Sequence, residues 1–163
     1  SGQVAQDADG NVVGIDDIVG GLLASSGALG RHEPDEDALS DIARGVEVAR
    51  TLGTLDVGQA VVVQQGHVLG VEAAEGTDRL LERCGSLRRE GKPGVLGKVS
   101  KPGQERRPEL TTIGVDTVWA AADAGLAGIA VEAGNALVVD RSAVGEAADA
   151  ANIFVVGIDA AES

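Results

Sequence analysis

The spacing of apolar residues divides this chain into alternating helical and extended stretches. After Glu33-Pro34-Asp35, the residues Leu39, Ile42, Ala43, Val46 and Ala49 recur at helical spacing and stop near Gly53, which predicts an amphipathic helix weakened in its middle by Gly45. Ala60–Gln64 and residues 68–72, joined across Gln65-Gly66-His67, have the β-branched composition of two hairpin strands. Gly76-Thr77-Asp78 opens a second helix that turns Leu80, Leu81, Cys84 and Leu87 inward. Residues 94–99 read as a short buried strand, and Lys101-Pro102-Gly103 then forces a loop that runs to Gly114. A third helix carries Val115, Val118, Trp119, Ala122 and Leu126 along one stripe and ends at Gly125. Strands at 127–131 and 136–139, a fourth helix from Ser142 to about Asn152 and a last strand at 153–158 complete the pattern.

Helices alternating with short apolar strands predict an α/β fold, a single-domain layered sandwich with a mixed β-sheet and about four helices. The sheet is mixed because the hairpin is antiparallel while helical crossovers favour parallel pairs. Residues 1–11, SGQVAQDADGN, are small and polar and read as a linker remnant or disordered start; residues 12–159 form the domain and 160–163 a tail.

Composition narrows the function. No run of about 18 apolar residues and no basic start with an apolar h-region is present, so a soluble, cytoplasmic protein is expected. The single cysteine, Cys84, excludes an intramolecular disulfide and reads as a small core residue, in keeping with a reducing compartment. The chain has no methionine and is read as a fragment of a longer product. With Trp119 and Phe154 as its only aromatics beside 24 glycines, the core must come from Val, Ala, Leu and Ile, and stacking on bases is nearly excluded. A formal charge of −13 argues against binding a nucleic-acid backbone. The exception lies between Arg79 and Arg107, where nine basic residues face three acidic ones and suggest a local anion site.

The densest polar segment runs from Lys98 through Lys101, Gln104, Glu105, Arg106, Arg107, Glu109, Thr111 and Thr112 to Gly114, a loop that ends at a helix N-terminus. Such an end offers unpaired N–H groups and partial positive charge, and neighbouring Lys and Arg add point and bidentate contacts, a combination suited to phosphate. The second helix start, Glu75-Gly76-Thr77-Asp78, offers the same groups beside acids, although Thr77 or Asp78 can simply cap the helix. Glu72, Glu75, Asp78, Glu105 and Glu109 are hard-oxygen donors of the kind Mg²⁺ takes in ones and twos, but their spacing matches no metal motif. His32 and His67 stand alone and read as surface residues. A P-loop, a dinucleotide fingerprint and a nucleophile elbow are absent.

Six segments in order resemble the C-terminal domain of the LpxI-type UDP-2,3-diacylglucosamine pyrophosphatases: Gly58-Gln59-Ala60, Val71-Glu72-Ala73-Ala74-Glu75-Gly76-Thr77-Asp78, Lys98 to Arg107, Thr112-Ile113-Gly114-Val115, Gly125 to Gly134 and Phe154 to Asp159. The resemblance runs from about Val12 to Asp159. It implies Mg²⁺-dependent hydrolysis of a UDP-linked diacylated glucosamine lipid to UMP and 2,3-diacylglucosamine 1-phosphate, in lipid A synthesis at the cytoplasmic face of a Gram-negative inner membrane, with peripheral membrane contact. It further implies a homodimer and a missing N-terminal domain that closes the other half of the substrate cleft. On this reading Glu109 and Glu105 are catalytic; Lys98, Lys101, Gln104, Arg106, Arg107, Thr77 and Thr112 bind substrate; and Glu109, Glu75 and Asp78 hold the metal. The family's essential aspartate lies in a motif R-x-D-L-P-T-I-G, for which Arg107 to Gly114 is the counterpart, with Glu109 at the aspartate position. A glutamate places its carboxylate one methylene further out, and a displacement of about 1 Å can cost roughly a hundredfold in rate. The chain alone is therefore expected to turn over poorly. The alternative is a non-catalytic ligand-binding or oligomerisation module that kept the fold.

Overall fold

The computed structural model describes residues 24–100 and 111–159 in full, and the backbone of two short strands at 4–6 and 12–14. The element order is β1 (Val4–Gln6), β2 (Val12–Gly14), β3 (Gly27–Ala28), α1 (Glu36–Thr54), β4 (Ala60–Gln64), β5 (His67–Val71), α2 (Thr77–Gly85), β6 (Val95–Lys98), β7 (Thr111–Ile113), α3 (Val115–Asp123), β8 (Gly128–Glu132), β9 (Ala136–Val138), α4 (Arg141–Ala151) and β10 (Phe154–Ile158). A six-stranded mixed sheet in the order β3-β10-β8-β6-β4-β5 forms the middle layer. Strands β6, β8 and β10 are parallel, and β3, β4 and β5 join antiparallel to their neighbours. Strands β7 and β9 form a separate parallel pair, and β1 pairs antiparallel with β2 in the stretch read as linker and domain start.

Period-two alternation in the strands sends two sets of side chains to opposite faces. Ala60, Val62, Leu96, Ile129, Val131 and Val155 pack with Leu80, Leu81 and Cys84 of α2, Val118 and Ala121 of α3 and Val144 and Ala148 of α4. Val61, Val63, Val95, Ala130, Phe154 and Val156 pack with Ala38, Ile42, Val46 and Ala49 of α1. The result is the expected layered α/β sandwich, with one described helix on one face and three on the other. Burying side chains such as Leu80 and Leu81, both fully enclosed, contributes roughly 2 kcal/mol each.

The inward faces differ from the sequence reading at particular residues. In α1, Leu39 and Ala43 are exposed, while Asp41 and Gly45 are buried among the apolar positions. Gly45 lies where α1 passes directly over the sheet: a Cβ on Gly97 of β6 would sit 3.7 Å from the Gly45 backbone, in ordinary contact. Asp41 accepts the N–H groups of Gln65 and Gly66 at 3.0 and 2.9 Å and so clamps the β4–β5 turn, whose two residues both have positive φ as tight hairpin turns require. In α3, Val118 and Ala121 face inward while Trp119, expected in the stripe, is 42% exposed. Leu87 lies beyond the end of α2 and is likewise exposed. His32, read as a surface residue, is half-buried with Nε2 enclosed. The stretch read as loop up to Gly114 ends in β7.

Candidate functional site

Because β6, β8 and β10 run parallel, their carboxyl ends meet at one edge of the sheet. In open α/β sheets this is where ligands bind, since crossover helices returning from that edge turn their N-termini toward it. Register puts Lys98, Val131 and Gly157 side by side there, with Ala60 of β4 opposite Lys98 and Val71 of β5 beside Val61. The antiparallel hairpin therefore ends at the same edge, and delivers Glu72 and the start of α2 to it.

Lys98 is the centre of this edge. Its side chain projects to the face covered by α2, α3 and α4 and is 8% exposed. The ammonium donates to the Thr112 carbonyl at 3.0 Å, which ties the end of β6 to β7. Burial lowers the lysine pKa below its ordinary value, and the charges of Glu72 and Asp78 oppose that shift. Glu72 is itself held: Oε1 accepts the Gln59 N–H at 3.1 Å and Oε2 accepts the Thr77 hydroxyl at 2.6 Å. Beside it an open cleft of about 390 Å³ is lined by Asp78, Thr112, Ile113, the N-terminal residues Gly114 to Thr117 of α3, Val139 and Asp140. Thr117 accepts the Gly114 N–H at 3.2 Å, and Asp140 caps α4 through the Ala143 N–H at 3.1 Å.

The structure thus brings Lys98, Thr112, Thr77 and Asp78 to one edge. Thr112 contributes its carbonyl to Lys98, and the Thr77 hydroxyl proton is committed to Glu72. Glu75 turns away to Arg83, which donates to it at 2.5 Å and to the Val71 carbonyl at 3.1 Å. That hydrogen bond holds the Glu75 carboxyl below its usual pKa. Lys101, Gln104, Glu105, Arg106, Arg107 and Glu109 lie outside the described residues. At the border of that segment Thr111 is 2% exposed, and its hydroxyl oxygen is buried without a partner among the described residues.

Sequence reasoning missed a second group on the opposite face of the same edge. Ser100 donates to Glu132 at 2.9 Å, and Arg50 of α1 lies 3.9 Å from the other oxygen of that carboxylate. The available signal was an acid ending the apolar run at 127–131, at the carboxyl end of a strand.

Among the described residues no group of three or more His, Cys, Asp or Glu side chains is placed to hold a metal. Mg²⁺ needs fewer, because it keeps water and binds substrate phosphate with one or two carboxylates. Both Glu72 oxygens are engaged and Glu75 is paired, so the donor that fits is the exposed Asp78 at the cleft. A larger cleft of about 570 Å³ opens at the other end of the sheet, between Asp35, Asp37, Asp41 and Lys92. Its polar groups are engaged with one another or with the turn, Lys92 lying 3.2 Å from Asp35 and 2.8 Å from Asp37 while Asp41 accepts the Gln65 and Gly66 N–H groups. Among the described residues no helix is long and apolar enough to cross a membrane.

Comparison with known proteins agrees with the resemblance. Residues 25–156 match the family model of the LpxI C-terminal domain. The UDP-2,3-diacylglucosamine pyrophosphatase LpxI of Caulobacter vibrioides is 47% identical over 157 residues, an alignment that covers 93% of this chain and 56% of that protein. The chain thus spans about half the length of that curated relative.

Proposed function

The chain belongs to the LpxI C-terminal domain family, and from that premise we propose that it supplies the diphosphate-binding half of an enzyme that hydrolyses UDP-2,3-diacylglucosamine to UMP and 2,3-diacylglucosamine 1-phosphate. Water adds across one bridging P–O bond, so that one product phosphate gains the hydroxyl oxygen and the other departs with the bridging oxygen. The observation that carries the reading is Lys98, an ammonium buried at the carboxyl edge of the sheet beside the N-terminus of α3. A buried cation next to oriented N–H groups favours an anion over water, because little reorganisation remains when the anion arrives.

In this reading Lys98 holds a phosphoryl oxygen, joined by Lys101, Gln104, Arg106 and Arg107, with Thr112 and Thr77 shaping the pocket. Asp78 and Glu109 hold Mg²⁺, with Glu75 reaching it only by releasing Arg83, and Glu105 and Glu109 orient the water. Mg²⁺ when bound supplies neutralisation of the charge that develops on the bridging oxygen. The partner is the UDP-linked lipid, the setting is the cytoplasmic face of an inner membrane, and the remaining half of the cleft comes from the N-terminal domain in a homodimer.

The test is Mg²⁺-dependent binding of UMP by this chain, followed by release of UMP from the lipid substrate. Binding with slow turnover is the expected result, and Glu109→Ala should remove the turnover that remains. A chain that self-associates but binds no UMP at any Mg²⁺ concentration would sink the reading in favour of a non-catalytic module.

A further inference from the structure

Glu72 has the chemistry of a metal ligand and sits among the residues of the site, yet its geometry assigns it another task. Its two carboxylate oxygens are spent on different parts of the chain: the backbone N–H of Gln59, just before β4, and the hydroxyl of Thr77, the first residue of α2. Its own N–H donates to the Ala60 carbonyl at 2.8 Å, so the residue extends the β4–β5 ladder by one step before the chain leaves for α2. Gly58 packs against the Glu72 carbonyl with no room for a Cβ. The cap position before helix α2 is Gly76, which has positive φ and no side chain to cap the helix. Glu72 therefore does from outside what a cap residue does from within, by fixing the first helical residue and placing negative charge at the helix N-terminus.

We propose that Glu72 is a positioning residue, a brace that holds the start of α2 against the end of the hairpin and thereby sets Asp78 in the cleft relative to Lys98, without itself binding the metal. The proposal rests on the function proposed above for the identity of the ligand, but the brace can be tested without it.

A carboxamide separates the two roles. Glu72→Gln keeps an acceptor for the Gln59 N–H, and its NH₂ donates to the Thr77 oxygen, so the brace survives while the charge and the anionic ligand are lost. Glu72→Ala loses both bonds. Two readouts on the chain follow: hydrogen exchange at the Gln59 amide, and affinity for Mn²⁺, standing in for Mg²⁺, in the presence of UMP. Glu72→Ala should speed exchange at Gln59 and weaken Mn²⁺–UMP binding about tenfold, the equivalent of about 1.4 kcal/mol. Glu72→Gln should return both to within about threefold of wild type, the equivalent of about 0.7 kcal/mol. Thr77→Val, which cuts one arm, should fall between them.

A Gln variant that protects the Gln59 amide yet binds Mn²⁺ as poorly as Glu72→Ala would overturn the proposal and make Glu72 a ligand. Unchanged exchange at Gln59 in Glu72→Ala would also overturn it. If the wild-type chain binds no Mn²⁺–UMP, the proposed function fails while the exchange measurement still decides whether Glu72 braces α2.

Discussion

Replacing Lys98 by methionine should separate stability from binding. The substitution keeps the unbranched length of the side chain and removes its charge. In the folded protein Lys98 is 8% exposed, its ammonium donates to the Thr112 carbonyl, and burial disfavours its protonated form. A charge held in an apolar layer is a stability cost, and substituting apolar groups for buried ionic ones is neutral or stabilising by about 1–4 kcal/mol. Two losses work against that gain. The Thr112 carbonyl loses its donor, although Thr112 is exposed and water can replace it. Glu72 and Asp78 lose a countercharge, although Glu72 keeps both hydrogen bonds and Asp78 is exposed. The sum lies between no change and a gain of about 1 kcal/mol, or about 2–4 °C in melting temperature for a chain of this size. UMP binding moves the other way: one charge-assisted contact is worth about 1.5–3 kcal/mol, so Mg²⁺-dependent affinity should fall roughly 10- to 150-fold. Alkaline pH gives a further check. The pKa of Lys98 is lower folded than unfolded, so between the folded value and the ordinary 10.5 the unfolded chain binds more protons. Wild-type stability therefore gains a contribution as pH rises through that window, and Lys98→Met removes it. Urea denaturation alongside calorimetry of UMP binding tests both halves. A loss of more than about 1 kcal/mol in the Met variant would show that the ammonium holds the fold together, and unchanged UMP affinity would remove Lys98 from the site.

Two further substitutions probe the scaffold around the site. Asp41→Ala removes two charge-assisted bonds from the β4–β5 turn, and because Gln65 and Gly66 can turn to water the cost should be about 2 kcal/mol in urea denaturation; a change below about 0.5 kcal/mol would mean the clamp is idle. Gly58→Ala drives a Cβ into the Glu72 carbonyl, so it should destabilise by about 1–3 kcal/mol and weaken Mn²⁺–UMP binding as Glu72→Ala does; stability lost with binding intact would uncouple that contact from the site.

The order of elements was legible because each helix and strand has its own period and the junctions carry glycine, proline or asparagine. What spacing could not resolve was the direction of each face. Leu39 and Trp119 each lie at helical spacing from buried residues, and a shift of one position exchanges them for Ala38 and Val118, which the sheet selects by contact. Asp41 interrupts the buried stripe of α1 for a reason local sequence does not contain: a hairpin turn 24 residues away needs an acceptor. The site divides in the same way. Lys98, Asp78 and Thr77 stood out by charge and by their place at element ends, whereas Ser100 with Glu132, and Arg50 with Glu132, come together only through strand order. The charge of Glu75 points to a ligand, but the return of α2 along β5 brings Arg83 to it first.

The two edges of the sheet show why polar residues of similar type are spent so differently. At the amino edge of the parallel strands, buried polar groups are consumed by the backbone: Asp41 by the hairpin turn, and fully enclosed Gln64 by Arg89 and Lys92, donating to their carbonyls at 2.8 and 2.9 Å and accepting the Arg89 N–H at 2.8 Å. These groups close loops, and a ligand would have to break the fold to use them. At the carboxyl edge the parallel strands and their crossovers bring the N-termini of α2, α3 and α4 to one side, and the antiparallel hairpin delivers Glu72 there from the other half of the sheet. Helix N-termini leave N–H groups without partners inside the helix, so this edge gathers donors that the helices themselves do not use. Lys98 adds a cation whose ammonium is desolvated before any ligand arrives, and Glu72 holds the nearest helix in place. Placing that lysine one residue earlier in β6 would send it to the α1 face, away from all three N-termini. The strand period is therefore as much a determinant of the site as the charge itself.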